Sequence, residues 1–138
     1  ERDSTGLLAQ MHRRGVAVEI ALTSSDVILG VRGRAHPITT YLAAGVPVTL
    51  ATDDAGVSRI DLTNEYVRAA RDHGLGYRQL KGLARNALLK AFLPEAERRA
   101  ALERLDGDFA AFEQDVAAAM PPLARAAALV RALMPGGR

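Results

Sequence analysis

Two short runs of β-branched and aliphatic residues, 16–22 (VAVEIAL) and 46–51 (VPVTLA), constrain this chain more than any other feature. Gly15 and the Thr23-Ser24-Ser25 cluster bound the first, which carries one acid, Glu19. Both read as buried strands, and Pro47 is tolerable at the beginning of the second. Residues 26–35, with glycines at 30 and 33, read as a loop. His36-Pro37 then opens a short helix, because proline suits the first helical position. Ile38, Tyr41 and Leu42 give it an apolar face, and Gly45 stops it. Two buried strands separated by a helix predict parallel strands joined by a crossover. Two strands cannot make a parallel sheet covered on both faces. The chain therefore reads as a piece of a larger α/β fold, with unpaired strand edges that invite aggregation.

The remainder reads as helix. Leu7, Leu8 and Met11 have helical spacing over 5–14, ending near Gly15. A helix is expected over 64–72, capped by Asp61 or Thr63. The next spans 77–92, with Leu80, Leu83, Ala84, Ala87, Leu88 and Ala91 on one face. Pro94 starts another, and Phe109, Phe112 and Val116 continue an apolar face beyond it. Pro121-Pro122 breaks the chain, a last amphipathic helix covers 123–134, and 135–138 is a frayed tail. The expected organisation is thus 1–120 as one unit and 121–138 as a terminal helix and tail.

Composition narrows the function. In 138 residues, 25% charged and 49% hydrophobic, the formal net charge is only +2, with basic and acidic residues interspersed. That is a globular composition without the electrostatic footprint of a nucleic-acid binder. There is no cysteine, hence no thiolate metal site. No apolar stretch is long enough to span a bilayer. The opening Glu1-Arg2-Asp3-Ser4 does not read as a signal peptide, and a cytoplasmic location is the expectation.

In a parallel α/β fold, functional groups gather at the carboxyl ends of strands. Two places qualify: Thr23-Ser24-Ser25-Asp26 after the first strand, and Thr52-Asp53-Asp54 after the second. Adjacent carboxylates raise each other's pKa unless a cation or donor compensates. A divalent metal beside one is such a compensation; the other is then left to accept a hydrogen bond from substrate or hold a proton. Spacing alone leaves this turn equally open to being a helix cap or a solvated loop. The three histidines are expected to do other work: His12 on the surface, His36 as a cap before Pro37, and His73 at a helix C-terminus that favours a partly positive imidazole.

The motifs are more specific in series. Residues 45–54 (GVPVTLATDD) resemble the last barrel strand of adenosine deaminases. The likeness continues through 62–66 (LTNEY), 80–87 (LKGLARNA) and 92–95 (FLPE), and upstream through 19–24 (EIALTS) and His36-Pro37-Ile38. It runs from about Gly15 to about Arg104. The resemblance implies the C-terminal part of a TIM-type (β/α)8 barrel followed by extra helices, in a zinc-dependent hydrolase that deaminates adenosine or a related amino-purine nucleoside. It implies that Asp53 is a metal ligand that orients the zinc-activated water, and that Asp54 binds the purine ring, both being catalytic. Three departures leave the substrate open: Ser25 where the family commonly has Asn, Ala55 where Pro is usual, and the unfamiliar loop Gly56-Val57-Ser58-Arg59.

The family's other metal ligands are histidines, and its proton-shuttling glutamate also lies upstream. None of those motifs is in this chain. The expectation is that it needs the N-terminal half of the same barrel as partner and is inactive alone. The competing reading is a non-catalytic helical interaction module derived from the same fold. Phe109, Phe112 and the stripe Leu123, Leu129, Val130 and Leu133 lend it support.

Overall fold

The structure, a computed structural model, describes residues 4–121 and Ala124. The readings for 122–138 otherwise lie outside the described residues. Helix α1 (Ser4–Arg14) ends where Gly15 takes a left-handed backbone (φ 62°). Strand β1 (Val18–Ile20) follows, then α2 (Leu22–Leu29), a 3-10 turn (Gly33–Ala35) and α3 (Ile38–Ala43). Strand β2 (Val48–Leu50) leads into a short α4 (Ala55–Ser58), then α5 (Leu62–His73), α6 (Tyr77–Leu89) and the long α7 (Glu95–Ala119). The chain divides into two units, Glu1–Arg99 and Ala100–Arg138.

The two strands pair in parallel, with Val18 opposite Val48, Glu19 opposite Thr49 and Ile20 opposite Leu50. The expected parallel pair with its helical crossover is therefore present. The strands are shorter than the apolar runs that announced them. Residues 21 and 22 leave the sheet because α2 begins at Leu22. This corrects the reading of 26–35 as loop: its first four residues are helical. Alternation puts Val18, Ile20, Val48 and Leu50 on one face. Ile20, Val48 and Leu50 join Leu22, Ile38, Ala69, Leu75 and Leu83 in the core of the first unit, with Val18, Tyr41, Leu42, Tyr66 and Leu80 packed around them. The outer edge of β2 is not bare: the Asn86 side-chain amide on α6 donates to the Val48 carbonyl at 3.0 Å.

Local chemistry explains the boundaries. Pro37 caps α3 from one position before its first residue, and its carbonyl accepts from Tyr41 N–H at 3.1 Å. Gly45 turns the chain into β2 with φ 69°, and a Cβ there would lie 2.8 Å from His12 Nδ1. His12 donates from that nitrogen to the Gly45 carbonyl at 2.7 Å. Asp61, rather than Thr63, caps α5, accepting from Asn64 N–H at 2.9 Å. Helix α6 stops at Leu89, three residues short of the expected Phe92, whose ring is fully exposed. Pro94 stands just before α7 and accepts from Arg98 N–H. By itself α7 is a 25-residue helix none of whose described residues is buried.

Candidate active site at the strand ends

Both strands end level, and the Ala51 N–H donates to the Ile20 carbonyl at 2.9 Å to close the ladder. Beyond this point the two segments diverge. After β2, Asp53 adopts a left-handed backbone (φ 52°), unusual for a residue with a Cβ but most tolerable for Asp and Asn. Its carbonyl accepts from Ala55 N–H at 3.0 Å, and that of Asp54 accepts from Ser58 N–H at 2.9 Å. Asp54 occupies the N-cap position of α4, yet its side chain makes no cap bond. Arg59 ends α4 with a second left-handed backbone, φ 52°. The Asp53 and Asp54 side chains are exposed and find no hydrogen bond or salt bridge among the described residues.

After β1, Thr23-Ser24-Ser25-Asp26 is the start of α2 rather than a loop, and Thr23 and Ser24 are buried. The side chains of Thr23, Ser25 and Asp26 are committed to protein partners. Thr23 is held by Glu65 and by Asn64, whose amide donates to Thr23 Oγ1 at 3.2 Å. Asp26 accepts from Arg68 Nη2 at 2.6 Å. Ser25 Oγ lies 3.3 Å from His36 Nε2. The Ile38 N–H donates to His36 Nδ1 at 3.2 Å, so the ring's proton sits on Nε2 and points to Ser25. His36 thus does cap α3, as expected, but from a buried position.

His36 also meets His73 edge to face, with ring centroids 5.6 Å apart. Burial holds the His36 pKa below the ordinary imidazole range, and the charge His73 carries when protonated lowers it further. Burial likewise holds His73 low, against the opposing pull of Asp72 and with added repulsion from Arg68. His73 does sit before the Gly74 cap of α5. The helix C-terminus favours a positive ring, and burial opposes it.

No three His, Asp or Glu side chains converge as a metal cage among the described residues. Asp53 and Asp54 stand together, and the histidines are elsewhere in the packing. The residue that sequence reasoning missed is Glu65, wholly buried on α5. A signal was available. Glu65 and Ala69, four apart, are the buried positions of that helix, so an acid lies on its apolar face.

Comparison with known proteins places the chain in a family. The family model for adenosine deaminase matches residues 2–108. The chain is 42% identical over 88 residues to the aminodeoxyfutalosine deaminase of Streptomyces coelicolor, covering 63% of this chain and 23% of that protein. It is 39% identical over 98 residues to the adenosine deaminase of Aliivibrio fischeri, covering 70% and 29%. Among solved structures, the apo N6-methyl-AMP deaminase of Arabidopsis thaliana superposes with a TM-score of 0.64 at 30% identity, over 71% of this chain and 29% of that one. The adenine deaminase of Arthrobacter aurescens, at 17% identity and TM-score 0.69 over 76% and 32%, shares the fold. The chain thus spans between a fifth and a third of the length of these relatives. It belongs to the adenosine deaminase family of the amidohydrolase superfamily and corresponds to a C-terminal portion of its members.

Proposed function

We propose that this chain supplies the purine- and metal-facing strand end of a (β/α)8-barrel hydrolase that deaminates adenosine or a related 6-amino-purine. One observation carries the reading. Two adjacent carboxylates, Asp53 and Asp54, stand exposed and without a partner among the described residues where in-register parallel strands end. Relatives named for adenosine and for N6-methyl-AMP share a purine with nitrogen on C6 and differ in the phosphate. An Arabidopsis structure 29% identical to this chain is a complex with IMP. The shared chemistry is therefore the purine ring and its C6 substituent, nitrogen before deamination and oxygen after it.

The residues fit a divalent cation in part. A side-by-side carboxylate pair without a donor or counter-charge favours a cation beside it. Asp53 has a hard oxygen ligand to offer and no competing hydrogen bond. One carboxylate is well short of the usual protein ligand count, so the remaining ligands belong to the barrel's N-terminal portion, the partner this chain requires. Zinc, when bound, lowers the pKa of a water so that a nucleophile exists at neutral pH. Asp53 would hold the metal, whose chemistry there would be to supply the nucleophile. Asp54 accepts a hydrogen bond from the purine or holds a proton for it. Water adds at the carbon bearing the amino group, and ammonia leaves.

The test is ammonia release from adenosine by the full-length protein that carries this chain. Asp53→Asn should lower turnover about a thousandfold and lower bound zinc, while residues 1–138 alone with added zinc should release no ammonia. Full turnover in Asp53→Asn, or ammonia from the isolated chain, would sink the reading.

A further inference from the structure

Helix α2 begins where its own sequence offers no cap. The residue before it, Ala21, is extended (φ −115°, ψ 96°) and has no side-chain acceptor. The first N–H groups of any helix need acceptors from outside it. Here Leu22 and Thr23 are buried, so water does not serve them. Glu65, 43 residues beyond Leu22, does. The Leu22 N–H donates to Oε2 at 2.6 Å, and the Thr23 N–H lies 3.2 and 3.3 Å from Oε1 and Oε2. The Thr23 hydroxyl donates to Oε1 as well. A carboxylate at a helix N-terminus with this many donors is well satisfied despite having no exposed surface. Three residues on, Arg68 donates to Asp26. Glu65 and Arg68 share one face of α5 and grip successive turns of α2.

A Ser or Asp at position 21 could have capped α2 locally. A cap delivered from α5 does something a local one cannot. It ties the segment after β1 to α5, which follows the Asp53-Asp54 turn and the short α4. We propose that Glu65 is a positioning residue for the reaction at the strand ends. It touches no substrate and acts through Leu22 and Thr23, keeping the first turn of α2 in fixed relation to α5. This rests on the reading of the strand ends as the active site.

The experiment uses the full-length protein with adenosine, measuring kcat and KM separately. Glu65→Leu fills the space but leaves two buried N–H groups without acceptors. It should lower kcat about a hundredfold, the scale of a misplacement of about 1 Å, with KM nearly unchanged. Glu65→Gln keeps an accepting oxygen and should recover kcat to within about tenfold of the parent. Amide hydrogen exchange supplies a readout independent of turnover: Leu22 and Thr23 should be protected in the parent and exchange freely in Glu65→Leu. A folded Glu65→Leu protein with parental kcat, a Glu65→Gln protein as slow as Glu65→Leu, or protection that survives Glu65→Leu overturns the proposal. If Glu65→Leu does not fold, Thr23→Val decides, because it removes the Thr23 hydroxyl with its bonds to Glu65 and Asn64 and leaves both backbone N–H bonds to Glu65 in place. A kcat about tenfold lower with unchanged KM supports the proposal, and parental kcat overturns it. The two readings fail differently. Full turnover in Asp53→Asn defeats the site assignment, whereas normal Glu65 variants beside a dead Asp53→Asn defeat only this one.

Discussion

The segments that follow β1 and β2 start from equivalent positions at the ends of paired parallel strands, and they share little else. After β1, the side chains of Thr23, Ser25 and Asp26 are spent on Glu65, His36 and Arg68. After β2, the side chains of Asp53 and Asp54 are spent on nothing among the described residues, and the backbone takes left-handed turns at Asp53 and Arg59. One segment is scaffold. The other holds exposed charge with no protein partner among the described residues, and at Arg59 a left-handed backbone that residues other than Gly, Asn and Asp rarely adopt. Equivalent places in a fold are thus told apart by what their polar groups are already doing.

The sharpest way to break this contrast is to change one residue in each segment. In the full-length protein, Asp53→Asn should lower turnover by about a thousandfold, or about 4 kcal/mol of transition-state stabilisation. Asn tolerates the left-handed turn, so urea unfolding should be almost unchanged. Glu65→Ala should do more to stability: with two buried N–H donors orphaned at roughly 1–3 kcal/mol each, unfolding free energy should fall by about 3 kcal/mol or more. If instead Asp53→Asn unfolds the protein and Glu65→Ala does not, the roles assigned to the two segments are reversed.

A smaller effect comes from the histidines behind α2. The His36 and His73 pKa values are both lowered from 6.5, chiefly by burial. The folded chain therefore keeps them neutral while the unfolded chain takes up protons first. Their contribution is whole above pH 6.5 and is lost as the pH falls from there toward the lowered folded values. Asp72, whose pKa its hydrogen bond with Arg71 lowers from 3.8, titrates outside that window. Unfolding free energy should thus decline between pH 7 and 5, and a His36→Gln, His73→Gln double variant should flatten the slope. A slope that the double variant leaves intact would place the titration elsewhere. The least effect is expected at Val57, 83% exposed in α4. Val57→Ser should change stability by no more than about 0.5 kcal/mol, and a larger loss would show that the β2 segment also bears structural weight.

Much of this was legible in the sequence, for identifiable reasons. The parallel pair followed from two β-branched runs with a helix between them. Gly15, Gly45 and Asp61 mark their turns and cap because each residue type suits the backbone or bond required there. Pattern could not separate the two strand ends. Thr-Ser-Ser-Asp looks like a loop in isolation, and the acceptors for the first N–H groups of α2 come from Glu65 on α5. Long-range side-chain bonds of this kind leave no local periodicity. The same holds for His73, whose burial opposes the positive charge that its place before Gly74 favours. Asp53 and Asp54 were found because residues 45–54 carry a family pattern; their isolation from protein partners is visible only in the structure.

The left-handed backbone of Asp53 has an evolutionary consequence. Of the residues that sit comfortably at φ 52°, the favoured ones are Gly, Asn and Asp. The codons of Asn and Gly are each one base change from those of Asp. The mutations this turn tolerates best are therefore ones that keep the fold and delete the carboxylate. A lineage drifting at this position would pass first through well-folded, chemically silent descendants, so their stability would give no warning of the loss.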